Sequence, residues 1–182
     1  HAWFTEGSDL PDLQEAQAQA LYRKAFALGK QENPSGQLAV YQALSAQFID
    51  STAPAIEALL AKAMLNQGAL SASIQGPDAA IAVYQQLIQR FARHPDIEVQ
   101  QHVAHAYYNT GCELGQQQDL NGAIASYNTL LKRFGHQPAM QEVCALGLCN
   151  RAAAYYHLGQ RAEEQADYLA LIRLLENHPL PQ

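Results

Sequence analysis

The sequence predicts an all-α fold, an α-solenoid of eight helices paired into four antiparallel hairpins. Three observations carry that expectation. First, residues 80–91 read AIAVYQQLIQRF and residues 123–134 read AIASYNTLLKRF, with seven of twelve positions identical. Second, the Tyr of this segment recurs as Tyr41, Tyr84, Tyr127 and Tyr168, at steps of 43, 43 and 41 residues. A large apolar residue follows each Tyr seven positions later: Phe48, Phe91, Phe134 and Leu175. A fixed period of about 20–50 residues marks units that bury their apolar faces only against neighbours. Third, the 182 residues are rich in Ala, Gln and Leu and lack the Val/Ile/Thr runs of strands.

In chain order, residues 1–10 show no clear period and read as an irregular segment, with Trp3 and Phe4 placed to fold back onto the first helix. Pro11 suits a first helical turn, and the helical pattern then runs to Gly29. Residues 31–36 (QENPSG) read as a loop before the first copy of the segment, 37–48. Ser51 or Thr52 is placed to cap, and Pro54 to open, a helix reaching about Gln75. Gly76-Pro77-Asp78 breaks it, and the second copy ends at Phe91. His94-Pro95-Asp96 turns the chain into a helix reaching about Gln117. After a break near Asp119 comes the third copy, then a turn at 135–138 (GHQP). The last long helix stops at Leu158-Gly159, and the fourth copy ends near Asn177. One domain, 11–182, therefore holds repeats at about 11–50, 54–92, 95–135 and 138–178. Links this short make neighbouring helices antiparallel.

The repeated segment has a physical reading. Ile81, Tyr84, Leu87, Ile88 and Phe91 form one apolar stripe on a helix, and Ile124, Tyr127, Leu130, Leu131 and Phe134 repeat it. Gly68 and Gly111 each precede their Tyr by sixteen residues, inside the preceding helix. A mid-helix Gly costs about 0.5–1 kcal/mol relative to Ala, so two at equivalent places point to a contact with no room for a side chain.

Residues 108–111 (Tyr-Asn-Thr-Gly), Leu114, Ala123-Ile124, Tyr127 and Leu130-Leu131 resemble the tetratricopeptide repeat family. The second copy matches through Asn66, Gly68, Ala80, Ile81 and Tyr84. The fourth matches through Asn150, Tyr155, Tyr156, Gly159 and Tyr168, with Ala152 in the Gly place and Glu164-Gln165 replacing the small-aliphatic pair. In the first, Ala25 stands for the Gly and Gln37 for the Ala, while Leu38 and Tyr41 hold. The resemblance spans about 17–178; its 41–43-residue period exceeds the usual 34 or so and is similar to the long-repeat bacterial variety. It implies a right-handed superhelix and a protein–protein interaction scaffold. A concave groove lined by the first (A) helix of each hairpin would take a peptide or partner protein. Projected onto this chain, that groove holds Tyr22, Arg23, Phe26, Lys62, Leu65, Asn66, His105, Tyr108, Asn109, Cys112, Cys149, Asn150, Tyr156 and His157. Asn66, Asn109 and Asn150 form a ladder able to bond a peptide backbone, or else only water or a neighbouring helix.

The remaining residues narrow the function classes. A net charge of −6 disfavours nucleic acid and anionic lipid as partners, and no apolar run is long enough to insert in a membrane. Arg23, Lys24, Lys30 and Lys62 gather towards the first two hairpins, as a solvated face or a place for a carboxylate. His102 and His105 share a helix side without the third ligand zinc needs, so no metal or cofactor is expected. Glu163-Glu164 reads as a solvated pair. The absence of G-x-S-x-G, P-loop and H-E-x-x-H motifs gives no catalytic residues to assign. Cys112, Cys144 and Cys149 read as free thiols in a reducing, cytoplasmic compartment. The first ten residues lack a signal-peptide pattern and begin with His, leaving a processed protein, an expression remnant and an excised fragment all open. The alternative to a peptide scaffold is self-association, or service as a structural module of a larger protein. It would use the apolar last helix, with Tyr168, Leu169, Ile172 and Leu175 as a homodimer face.

Overall fold

The structure, a computed structural model, describes residues 9–177. Trp3, Phe4 and Pro179 lie outside the described residues. Eight α-helices follow one another within them: α1 (Asp9–Lys30), α2 (Pro34–Phe48), α3 (Pro54–Ile74), α4 (Pro77–Phe91), α5 (Ile97–Gln116), α6 (Leu120–Phe134), α7 (Gln141–His157) and α8 (Arg161–Asn177). A 3-10 turn, Pro138–Met140, leads into α7. The described residues contain no strand.

Local chemistry sets most boundaries. Asn33 and Asp119 cap α2 and α6 by accepting from the backbone N–H of Gly36 and Gly122, each at 2.9 Å; Asp96 caps α5 by accepting from Glu98 N–H at 2.7 Å. Three expected boundaries move. α1 starts at Asp9, inside the stretch read as irregular, because Pro11 in a first turn lacks only an N–H that had no intrahelical partner. α2 starts at Pro34, inside the expected loop, because Asn33 supplies its cap. Ala53, not Ser51 or Thr52, stands at the α3 N-cap without a side-chain cap; the Ser51 hydroxyl accepts from Ala53 N–H at 3.4 Å. Each hairpin turn uses one left-handed residue: Glu32 (φ 55), Gly76 (φ 99), Gln118 (φ 65) and Gly159 (φ 74).

Within hairpins the repeated segment packs as its stripe implies. Tyr41, Tyr84 and Tyr127 are buried, as are Phe48, Phe91 and Phe134 seven residues on. A Cβ on Gly68 would overlap the Tyr84 ring, and one on Gly111 the Tyr127 ring, so Gly is required for the helices to approach this closely. Ala25 and Ala152, at the Gly places of the first and last hairpins, are fully buried. The fourth copy departs from expectation. Tyr168 is 44 % exposed instead of buried, because no described helix follows α8 to cover it.

The hairpins stack in order, α2 on α3, α4 on α5 and α6 on α7. The A helices also pack directly on one another, α1 on α3, α3 on α5 and α5 on α7, while successive second (B) helices make no comparable contact. The A helices are thus crowded on the inside of the stack and the B helices are spread on its outside. A continuous core threads the hairpins, including Leu44, Ile56, Leu60, Met64, Leu87, Val99, Val103 and Met140, all essentially inaccessible. Each such side chain contributes on the order of 1.5–3 kcal/mol by leaving water.

Candidate functional site on the A-helix face

One residue in each A helix after the first is an Asn in the same register: Asn66, Asn109 and Asn150. Each reaches back to the B-helix Tyr of the preceding hairpin. Asn66 Nδ2 donates to the Tyr41 hydroxyl at 3.3 Å, Asn109 Nδ2 to Tyr84 at 3.3 Å and Asn150 Nδ2 to Tyr127 at 3.4 Å. The inward A-helix tyrosines join two of these nodes. Asn66 also donates to Tyr22 at 3.3 Å, and Asn150 donates to Tyr108 at 3.2 Å and to Cys112 Sγ at 3.4 Å. The ladder therefore bonds a neighbouring helix, one of the roles its spacing left open. Burial pushes the Tyr84 phenol up to about 12, against the Asn109 bond, which favours ionisation. Burial likewise raises Tyr41 and Tyr127.

The expected groove residues all lie on A helices, but at different depths. Arg23, Phe26, Lys62, Cys149, Tyr156 and His157 are exposed; Tyr22, Leu65, Asn66, His105, Tyr108, Asn109, Cys112 and Asn150 are half-buried. Basic side chains sit over the rings of this face. Lys62 Nζ lies 5.6 Å from the Tyr22 centroid, Lys30 Nζ 4.9 Å from Phe26, and the Arg161 guanidinium 4.2 Å from Tyr156. A recess of about 330 Å³ opens beside Cys112, Asn150 and His157, between α5, α6 and α7. Burial lowers the pKa of His105 and His102 from the usual imidazole range, which favours the neutral ring. The thiols differ as well: Cys144 is buried and its pKa is pushed up to about 11, Cys112 is half-buried and Cys149 exposed.

Other ties have no counterpart in the sequence reading. Arg90 Nε donates to Ile49 O at 3.0 Å and its Nη2 to Ser51 O at 2.7 Å, while Nη2 also pairs with Glu57 at 2.8 Å. One repeat on, Arg133 Nη2 donates to Ala92 O, and Nη1 to the Tyr107 hydroxyl at 3.4 Å. Each Arg thus holds the carbonyl end of the preceding B helix, where a cation is favourable. The signal was the Arg-Phe pair shared by both strong copies of the segment. Between α7 and α8, Arg151 pairs with the buried Asp167 (Nε to Oδ2, 2.9 Å) and bonds Asn128 on α6. Glu164, expected in a solvated pair, is instead partly buried and pairs with Arg161 at 2.9 Å.

No family model and no curated protein matches the chain. Among solved structures, the crystal structure of BtubC (BKLC) from P. vanneervenii is similar, with a TM-score of 0.71 at 17% identity over 93% of this chain and 68% of that one. At that identity the likeness speaks for the helical architecture alone.

Proposed function

We propose that the chain is a repeat scaffold of the tetratricopeptide kind, which binds an extended peptide or partner protein along its A-helix face. The observation that carries this reading is the pair of exposed aromatics on that face, Phe26 (55 % exposed) and Tyr156 (50 %), each with a basic side chain over its ring. Exposed aromatics beside cations form anchors of the type that dominates binding at interfaces. Arg23, Lys30 and Lys62 add positive charge along the first two A helices, which favours a partner segment bearing carboxylates. In this reading the Asn–Tyr ladder is the rigid floor, and the exposed rings make the contact. The test is affinity purification with the chain as bait beside its Phe26→Ser/Tyr156→Ser variant, circular dichroism confirming equal helicity. Loss of the co-purifying partner from the variant supports the A face; undiminished recovery rejects it.

A second reading is self-association through α8. Tyr168 stands in the register of Tyr41, Tyr84 and Tyr127, yet it is exposed beside Leu169 and Ile172, and no Asn of a following helix reaches it among the described residues. A second copy of the chain would cover those side chains. Light scattering that stays monomeric at high concentration removes this reading.

A further inference from the structure

The outer face of the stack carries a cleft of about 670 Å³ between α2 and α4, floored by α3. Gln42 and Ser45 line one wall, Gln86, Gln89 and Arg90 the other, and Gln67 the floor. Gln67 is 9 % exposed. Its Oε1 accepts from the Ser45 hydroxyl at 2.7 Å, which fixes the carboxamide and leaves its NH2 group on the cleft without a partner among the described residues. The wall glutamines are exposed and have no partner among those residues either. Arg90 adds no free charge, since its guanidinium is taken by Ile49 O, Ser51 O and Glu57. The cleft therefore offers neutral carboxamides, which both donate and accept, as a peptide bond does.

The equivalent places along the stack are built differently. The cleft between α4 and α6 is about 360 Å³, has Ile88 where Ser45 stands, and has Thr110 on its floor with the hydroxyl already donated to Ala106 O at 2.8 Å. Between α6 and α8, Arg151 spans the gap by bonding Asn128 and Asp167. Among the described residues, only the first interval combines room with a fixed, unspent donor.

We propose that the α2–α4 cleft is a second binding site, taking an uncharged extended peptide segment with a backbone carbonyl on the Gln67 amide. Its lining runs from Gln42 to Ile49 along α2. That is about 10 Å of helix, the length of about three extended residues. This site opens on the outer face, away from the exposed A-helix surface, and stands or falls separately from the proposed function.

The test titrates blocked tri-alanine (acetyl and N-methylamide ends) into the 15N-labelled chain and follows the side-chain NH2 signals. Saturable shifts of Gln67, Gln86 and Gln89 with one midpoint are expected. Gln67→Glu keeps the acceptor for Ser45 and removes the donor, and is expected to weaken binding about tenfold. Gln86→Ala/Gln89→Ala, at exposed positions, is expected to do the same, while Phe26→Ser/Tyr156→Ser leaves the midpoint unchanged. Linear, unsaturating shifts overturn the proposal. So does a response to glucose equal to that of the peptide, or a midpoint indifferent to Gln67→Glu.

Discussion

Asn109 on α5 donates to the phenol oxygen of Tyr84 on α4 at 3.3 Å, and that phenol is the one burial pushes up to about 12. A phenol whose pKa is raised in the folded chain stabilises it below the ordinary tyrosine range near 10. That stability is lost as pH rises from about 10 towards 12, because the unfolded chain releases its proton first. The urea midpoint is expected to fall across this window, with Tyr84 among the last phenols to ionise by phenolate absorbance. Tyr84→Phe is expected to cost about 1 kcal/mol near neutrality, by leaving Asn109 without its acceptor, and to flatten the alkaline decline. An unchanged alkaline slope in Tyr84→Phe counts against this role.

Two glycines of α5 are expected to respond with opposite sign. Gly111→Ala places a Cβ into the Tyr127 ring and is expected to destabilise by about 2 kcal/mol. Gly115→Ala meets nothing within 4 Å and is expected to stabilise by about 0.5–1 kcal/mol through helix propensity alone. Chemical denaturation of both variants checks the pair.

His102 Nε2 is buried without a hydrogen-bond partner, and burial lowers the pKa of its ring. One repeat earlier the same place holds Leu59, packed against the core. His102→Leu is expected to stabilise the chain by about 1 kcal/mol near pH 7, by removing an unsatisfied group. A ring with a depressed folded pKa contributes stability above its unfolded value near 6.5, lost as pH falls through the folded pKa. Thermal unfolding of the variant should therefore be less acid-sensitive than that of the parent. Equal acid sensitivity of the two chains contradicts the assignment.

Arg151 and Asp167 join α7 to the last helix, with the carboxylate side chain only 5% exposed. Arg151→Leu alone leaves Asp167 buried and unpaired, and is expected to cost about 3 kcal/mol. The double variant Arg151→Leu/Asp167→Leu removes both charges and is expected to recover most of that loss. A double-mutant cycle read by denaturation, with hydrogen exchange in α8 as the local report, checks both steps.

What could be read from the sequence follows from what a period encodes. The sixteen-residue offset from Gly68 to Tyr84 lies within one hairpin, so helix geometry alone brings the two together. The ties between hairpins depend on how one pair crosses the next, which no local spacing records. That is why Asn109 could be placed on the inner face while its acceptor, 25 residues back, could not be chosen between peptide and helix. Arg90 and Arg133 were harder still, because the tie that recurs from one repeat to the next ends on a backbone carbonyl, and a carbonyl leaves no mark in composition. Tyr168 shows the reverse case. Its register was legible, but register says where a ring points and not whether anything covers it.

The most direct test of the proposed partner-binding inner face is hydroxyl-radical footprinting of the chain with and without a protein that co-purifies with it. Protection of Phe26 and Tyr156 on the A helices, with Gln42 and Gln86 on the outer face unchanged, is the expected result. Protection confined to α2, α4 and α6, with both aromatics as reactive as in the free chain, would contradict it.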